Sequence, residues 1–155
     1  MGKPVIFESH IREDVVFGEG VKVVQPVNLY GCAIGDGSFI GPFVEIQNDV
    51  KIGSRCKVQS HTFICEGVSV GDDCFIGHGV MFINDLFQTG GPAGGDKSLW
   101  KKTFIGNQVS IGSNATILAV TIGDRVVIGA GAVVTKNISK PGIYAGNPAR
   151  FLRAL

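Results

Sequence analysis

The chain has 155 residues, with 14 Lys and Arg against 13 Asp and Glu, so its net charge is +1. This length predicts a single domain that spans residues 1–155. The balance of charge argues against a protein that binds nucleic acid through bulk electrostatics, and the hydrophobic content of 45% argues against disorder. No apolar run approaches the ~18 residues of a membrane span, and the first residues lack the apolar stretch of a signal peptide. We therefore expect a cytoplasmic protein that binds neither membranes nor nucleic acid.

The composition favours β-structure with frequent turns. The chain holds 16 Ile and 19 Val against 6 Leu and 9 Ala, and β-branched residues fit strands better than helices. Glycine accounts for 23 of the 155 residues, about twice its usual share of ~7%.

An apolar residue recurs every six positions along most of the chain. The repeat begins at Phe17, stops after Phe82 for about twenty residues and resumes at Ile105, with one-residue slips before Ile34 and Ile122. Ten of the 18 repeat positions are followed directly by Gly. This pattern predicts a short strand, a bend with unusual dihedral angles and a short strand again. The repeat positions are Phe17, Val23, Leu29, Ile34, Ile40, Ile46, Ile52, Val58, Ile64, Val70, Ile76, Phe82, Ile105, Ile111, Ile117, Ile122, Ile128 and Val134.

Hexapeptide repeats of this kind are typical of a parallel β-helix. Three hexads make one triangular coil, so the 18 positions predict about six coils, stacked about 4.8 Å apart. The repeat residues then point into the core of an all-β protein. Residues two positions earlier, between Cys32 and Val80, mix small and medium side chains, which suits a narrow interior.

Three segments resemble the hexapeptide-repeat acyltransferases. Gly129–Lys136 and Ala145–Arg150 look like the acetyl-CoA end of such enzymes. The resemblance covers about residues 15–150 and implies a left-handed parallel β-helix with acetyl-CoA as co-substrate. The segment Gly79–Asp85, followed by a loop, is similar to the nucleotide-linked 3-amino-sugar N-acetyltransferases. It implies acetyl transfer to the amine of a UDP- or dTDP-linked amino sugar in surface polysaccharide biosynthesis.

The segment from Asn84 to Thr103 interrupts the hexads and contains Gly90–Gly95, which suits no packed coil. We predict that it leaves the helix as a protruding loop, and we call this segment the loop. The resemblance implies that it reaches toward a neighbouring subunit and helps to cover the active site. Relatives that act on uronic acids commonly carry Pro-Arg where this chain has Phe87-Gln88-Thr89. Since an Arg would suit a carboxylate or a phosphate, the identity of the sugar stays open.

The outer positions of the repeat carry more aromatic side chains than a soluble monomer normally exposes. These positions are Phe39, Phe43, Phe63 and Phe75. Together with the resemblance, they predict a homotrimer with active sites between the subunits.

Residues 18 positions apart lie at the same place in consecutive coils. Asn48, Glu66 and Asn84 have this spacing, so we expect them to form a polar ladder on the outside that binds the acceptor. Glu66 lies between two amides, beside the start of the loop, and is a candidate to hold an amine and take its proton. Asp85 is the adjacent catalytic candidate. The alternative is a ladder that only solubilises this side of the protein.

Two histidines are further candidates for a catalytic base. His78 occupies the same hexad position as Asn84, one face earlier, and His61 lies at a corner. The resemblance to O-acetyltransferases implies a His base between subunits, whereas an amine needs less help as a nucleophile. Both histidines are equally consistent with simple hydrogen bonding, and His10 precedes the strongest part of the repeat.

The four cysteines predict no metal site. Cys32, Cys56, Cys65 and Cys74 form no CxxC pair and have no matching His spacing. Cys56 and Cys74 lie in neighbouring coils at a separation that would permit a disulfide, but the expected compartment argues against one. We interpret all four as small apolar filler.

The C-terminal coils are the predicted acetyl-CoA site. A pantetheine arm suits a groove of small residues, and phosphates suit cations. The candidates are Gly112, Ala119, Ala130, Gly131, Lys136 and Arg150.

We expect an acetyl-CoA-dependent N-acetyltransferase that acts on a nucleotide-linked amino sugar. The first alternative, within the same fold, is an O-acetyltransferase or xenobiotic acetyltransferase with a His base. The second is a non-catalytic β-helix scaffold subunit, which would not need the ladder, the loop and the C-terminal cations together.

Overall fold

Each six-residue repeat forms one short strand and one turn, and three repeats close a triangular coil. The computed structural model describes residues 2–6 and 8–155, so Met1 and Phe7 of the predicted domain lie outside the described residues. The strands form three parallel sheets, which we call faces 1, 2 and 3. Face 1 contains β1 (Val16–Phe17), β4 (Ala33–Ile34), β7 (Lys51–Ile52), β10 (Val68–Val70), β13 (Thr103–Ile105) and β16 (Thr121–Ile122).

Face 2 contains β2 (Lys22–Val23), β5 (Phe39–Ile40), β8 (Lys57–Val58), β11 (Phe75–Ile76), β14 (Ser110–Ile111), β17 (Val126–Ile128), β19 (Gly142–Ala145) and β20 (Arg150–Arg153). Face 3 contains β3 (Asn28–Leu29), β6 (Glu45–Ile46), β9 (Phe63–Ile64), β12 (Met81–Phe82), β15 (Thr116–Ile117) and β18 (Val133–Val134). The predicted left-handed β-helix of about six coils is confirmed, since β1–β18 make six complete coils. The chain ends in β19 and β20, which pair antiparallel.

The repeat residues form the core, as the sequence predicts. From Leu29 to Val134 every repeat position is buried. Phe17 is 40% exposed and Val23 is half-buried, because the first coil is the end of the stack and is covered on one side only. Of the four outer phenylalanines, Phe43 and Phe75 are exposed, whereas Phe39 and Phe63 are half-buried.

The predicted bends with unusual dihedral angles are present, but the glycines that follow the repeat residues do not adopt those angles. Gly53 and Gly71 are not among the residues with positive φ. A Cβ on Gly53 would lie 2.4 Å from the carbonyl oxygen of Gly71 in the next coil, so glycine is required there by close stacking. The unusual dihedral angles lie two residues later and include non-glycine residues, such as Arg55 at φ 57° and Asp73 at φ 57°.

The small inner side chains satisfy the carbonyl groups of the turns. Ser38 Oγ donates to the carbonyl oxygen of Gly53 at 2.9 Å, and Thr62 Oγ1 donates to that of Gly77 at 2.8 Å. Cys56 Sγ donates to the carbonyl oxygen of Gly71 at 3.1 Å. The cysteines are all buried and free, which agrees with a filler role that also includes weak hydrogen bonds.

The loop leaves the helix after β12 and returns at β13, close to its predicted bounds. It contains one turn of 3₁₀ helix at Lys97–Leu99, with Asp96 as the N-cap residue. At its base, the Lys101 N–H donates to the carbonyl oxygen of Asn84 at 2.9 Å, so the loop closes on itself without changing the register of the coils. No helix of the described residues has the length and apolar character to cross a membrane.

Candidate functional site

One corner of the triangle differs from the other two. It lies between face 3 and the face 1 strand of the next coil, and we call it the ladder corner. All six repeat residues of face 1 are followed by Gly, and none of the six on face 3 is. Side chains therefore follow the strands of face 3 where face 1 has only backbone, and the loop leaves the helix at this corner.

The structure brings the predicted ladder residues to the ladder corner. The register of face 3 places Asn48, Glu66 and Asn84 at the same position in consecutive coils, and all three are half-buried. Asn84 Nδ2 donates to the backbone carbonyl of Glu66 at 3.2 Å. Asn84 and Glu66 are thus direct neighbours, and the amide of Asn84 is held by the coil before it.

The carboxylate of Glu66 already binds a primary ammonium group. Lys97, in the 3₁₀ turn of the loop, donates from Nζ to Glu66 Oε1 at 2.8 Å and to Oε2 at 2.7 Å. The Glu66 side chain is 20% exposed and that of Lys97 is 60% exposed, so the pair lies at the edge of solvent. Lys97 Nζ also lies 5.5 Å from the centre of the Trp100 ring. The contact between Lys97 and Glu66 could not be predicted from sequence spacing, because it depends on how the loop folds back over the coils.

A second group of polar side chains, formed by Tyr30, Glu45 and Gln47, contacts the ladder from its N-terminal side. Gln47 Oε1 accepts from the backbone N–H of Glu66 at 3.2 Å, which orients its Nε2 to donate to Glu45 Oε1 at 3.1 Å. The Tyr30 hydroxyl donates to the same oxygen at 3.3 Å. Partial burial, followed by the nearby Glu45 carboxylate, raises the pKa of Tyr30. The sequence analysis did not identify Tyr30, Glu45 or Gln47. The repeat residues Leu29 and Ile46 are followed by Tyr30 and Gln47 rather than by Gly, and this departure from the pattern could have indicated them.

Asp85 has a structural place in the loop. Its Oδ1 accepts from the Phe87 N–H at 2.9 Å and its Oδ2 from the Ala93 N–H at 2.7 Å. Both carboxylate oxygens of this catalytic candidate therefore organise the loop backbone.

The ladder corner continues into the C-terminal coils. The pairing of β12 with β15 and of β15 with β18 places Ala119 and Lys136 at the ladder position, one and two coils beyond Asn84. At about 4.8 Å per coil, Lys136 lies roughly 10 Å along the axis from Asn84. Two of the predicted donor residues, Ala119 and Lys136, thus share the ladder corner with the predicted acceptor residues.

Lys136 and Arg150 line the same cleft, at the C-terminal end of the helix. The cleft has a volume of about 320 Å³ and is also lined by Tyr144 and Phe151, whose rings pack edge to face at 5.4 Å. Residues 125–155 contain five Lys or Arg and no Asp or Glu, so this end of the molecule is cationic. The sequence alone did not predict that Tyr144 and Phe151 line this cleft.

The small residues proposed for the donor groove divide into two groups. Ala119 is half-buried, and Ala130 and Gly131 are exposed at a different corner, between faces 2 and 3. Gly112 lies at the same corner as Ala130, and a Cβ there would lie 2.4 Å from the backbone nitrogen of Ala130 in the next coil. Gly112 therefore serves coil stacking.

Both candidate histidines lie at the corner between faces 2 and 3, away from Asn84 and Glu66. His78 is exposed, and its Nδ1 is 2.9 Å from Ser60 Oγ in the preceding coil. His61 is exposed at φ 63° and stacks on Phe43 with ring centres 4.8 Å apart. Within one chain, face 3 separates these histidines from the ladder corner. Among the described residues, no group of three or more His, Cys, Asp or Glu is placed to hold a metal ion.

Comparisons with known proteins agree with this architecture. The family model "Bacterial transferase hexapeptide (six repeats)" matches residues 31–66, and "Hexapeptide repeat of succinyl-transferase" matches residues 102–136. The fold is similar to that of AntD, an N-acyltransferase from Bacillus cereus in complex with dTDP and coenzyme A. The TM-score is 0.77 at 23% identity, over 90% of this chain and 83% of AntD.

A second solved structure is a hexapeptide-repeat acetyltransferase from Vibrio cholerae in complex with acetyl coenzyme A. It aligns with a TM-score of 0.67 at 27% identity, over 81% of this chain and 72% of that one. The repeats, the strand topology and these similarities define a left-handed β-helix built from hexapeptide repeats. Over residues 31–66 and 102–136 the chain is similar to the hexapeptide-repeat transferases.

The curated relatives are longer than this chain. The bifunctional protein GlmU of Streptococcus uberis is 30% identical over 155 residues, which cover 99% of this chain and 31% of GlmU. The chain therefore spans about a third of the length of that relative.

Proposed function

We propose that the chain is an acetyl-CoA-dependent N-acetyltransferase that acts on the amino group of a nucleotide-linked sugar. The observation that carries this proposal is the continuity of the ladder corner, where Asn48, Glu66 and Asn84 are followed in register by Ala119 and Lys136. The AntD structure, which contains dTDP and coenzyme A, supports both the donor and the nucleotide part of the acceptor.

The Glu66 carboxylate is suited to an amine acceptor. It binds the ammonium of Lys97 with both oxygens, and the acceptor amine is the same chemical group. An acceptor that replaces Lys97 there would lie beside Asn84, the start of the loop and the next coil toward Ala119.

The reaction requires little acid–base chemistry. The neutral amine attacks the thioester carbonyl, so that a C–N bond forms and the C–S bond breaks. The proton leaves the nitrogen for Glu66 or for the departing thiolate, and Asn84 positions the amine next to Glu66. Positioning of this kind is worth about 10²-fold in rate when it is lost.

The donor is expected to lie along the C-terminal part of the same corner. Lys136 and Arg150 line one cleft and belong to a segment without acidic residues, so they are the groups expected to meet the phosphates of coenzyme A. In this interpretation Gly112, Ala130 and Gly131, at the corner between faces 2 and 3, reach the donor only from a second subunit.

We propose a homotrimer, because one chain leaves the two candidate corners apart. A neighbouring copy would bring its His78 corner toward the ladder corner, and exposed Phe43 and Phe75 would be covered by such contacts. Sedimentation equilibrium should give three times the chain mass of 16.3 kDa. A single-chain mass at micromolar concentration would contradict shared sites.

The function is tested by thiol release from acetyl-CoA with UDP- and dTDP-linked 3-amino sugars. The matched control acceptors carry a hydroxyl in place of the amine. We expect turnover with at least one amino sugar and none with its hydroxyl counterpart. Mass spectrometry for co-purified coenzyme A separates an enzyme from a scaffold subunit.

One observation favours the O-acetyltransferase alternative. In the tautomer of exposed His78 whose Nδ1–H donates to Ser60 Oγ, Nε2 is available as a base for a hydroxyl acceptor. If His78→Ala abolishes activity while Asn84→Ala keeps near-normal rates, this alternative replaces the amine proposal.

A further inference from the structure

The end of the loop presents lysine side chains beside the ladder. Lys101 is tied to Asn84 through its backbone N–H, and Lys102 follows directly before β13. Together with Trp100, they border a pocket of about 70 Å³ whose opposite wall includes Glu66 and Asp49. A pocket of this size is far below the ~300 Å³ of a whole-ligand site, so it suits one compact group of a larger ligand.

The lysine side chains around this pocket differ in the ion pairs that they make. Lys97 is held by both oxygens of Glu66. Lys102 Nζ makes a single 3.2 Å contact with Asp49, and both of these side chains are more than half exposed, so water screens the pair. Within residues 2–6 and 8–155, Lys101 makes no ion pair, and it is exposed.

Several other cations of the described residues form ion pairs or lie on another face or in another coil. Arg12 is bound to Asp14, and Arg55 is bound to Asp73. Lys22 and Lys57 lie on face 2, and Lys136 lies two coils beyond Asn84. A dianionic group next to Glu66 and Asn84 would lie beside the two lysines at the end of the loop, Lys101 and Lys102.

We propose that Lys101 and Lys102 bind the diphosphate of the nucleotide-linked acceptor. The proposal rests on the proposed function and specifies the acceptor as a nucleoside diphosphate derivative. The diphosphate would replace the screened Asp49 contact of Lys102 and engage the unpaired Lys101, while the sugar amine reaches Glu66. The front of the loop, Phe87-Gln88-Thr89, carries no cation, so this role falls to its returning end.

The test is calorimetric binding of UDP, dTDP, inorganic pyrophosphate and coenzyme A to the full chain. The double variant Lys101→Gln, Lys102→Gln removes both charges and keeps polar, flexible side chains. The matched control, Lys22→Gln with Lys57→Gln, removes two charges from face 2. We expect at least a tenfold loss of affinity for UDP or dTDP and for pyrophosphate in the first variant only, because charge-assisted hydrogen bonds are lost. The wild-type affinity should fall with added salt.

Three results would overturn the proposal: no binding of UDP or dTDP by the wild type, equal affinity in both double variants, or a loss confined to coenzyme A. The third result would assign the lysines to the donor. Thermal unfolding checks that each variant is folded, and the single variant Lys101→Gln replaces the double variant if it is not. Lysine-dependent UDP or dTDP binding without acetyl transfer to any amino sugar would support this proposal and contradict the proposed function. The reverse pattern would leave acetyl transfer standing without this site.

Discussion

The ion pair between Glu66 and Lys97 allows the carboxylate to be tested separately from the loop contact that it makes. Glu66→Gln removes the negative charge and keeps the size of the side chain, and Lys97→Met breaks the same ion pair while the carboxylate remains. If Glu66 binds the acceptor amine, Glu66→Gln should lose far more activity than Lys97→Met. If Glu66 only holds the loop in place, the two variants should lose similar activity.

The structure limits the effect of both changes on stability. The Lys97 side chain is 60% exposed, so the pair is screened and is worth at most about 1 kcal/mol. For a domain of this size that corresponds to a fall in Tm of about 2–4 °C. Loss of an amine-binding or proton-accepting group is expected to lower kcat/KM by ~10²-fold or more. Asn84→Ala also removes one hydrogen bond to Glu66. It should lower the free energy of unfolding by about 1 kcal/mol, and it should lower kcat/KM about as much as Glu66→Gln does.

The assay is steady-state thiol release at saturating acetyl-CoA, with thermal unfolding of each variant and calorimetric binding of coenzyme A as controls. Glu19→Gln, an exposed change in the first coil, controls for the loss of one negative charge. Equal kcat/KM for wild type and Glu66→Gln would refute a role for this carboxylate. A fall in Tm much larger than the ion pair explains would show a structural role instead.

Three further outcomes follow from particular contacts. Deletion of Thr89–Gly95 should leave a cooperative thermal transition and raise the KM of the acceptor, because the coils keep their register across the loop; loss of the transition would make the loop structural. Thr103→Val should raise Tm, because Thr103 Oγ1 is buried without a partner among the described residues and the penalty of such a group is about 1–3 kcal/mol; a lower Tm would contradict this. Burial raises the pKa of Cys32 to about 11 and of Cys65 to about 12, so Ellman's reagent at pH 8 should modify neither in the native protein and both after denaturation.

The periodic part of the fold was predictable because each repeat is specified locally. Ile40, Ile76 and Ile111 all point into the core, as period six requires. The mistake about glycine arose from the same locality. A single hexad cannot reveal that Gly53 stacks against Gly71, because that contact joins two coils. The sequence analysis attributed the repeat glycines to unusual backbone angles, whereas close stacking of the coils requires them.

The candidate site was predictable only where it follows the repeat. The spacing of 18 placed Asn84 beside Glu66, and the structure shows a hydrogen bond between them. Lys97 was not predictable, because its contact with Glu66 depends on the path of an irregular loop. The position of Arg150 near Lys136 depends on the antiparallel pairing of β19 and β20, which interrupts the helical pattern.

The exceptions to the repeat coincide at one corner, and stacking explains why the site lies there. On face 1 each repeat residue is followed by a glycine, so that position offers ligands only backbone. Face 3 has Tyr30, Gln47 and Cys65 at the equivalent places, which shows that the coils leave room for side chains at this corner. The same corner accommodates a loop of about twenty residues, since a turn that is not closely stacked can open without disturbing the coils beside it. Along the ladder corner, the otherwise regular β-helix can therefore carry polar side chains and the loop beside them. The same corner continues without a break to the cationic C-terminal end.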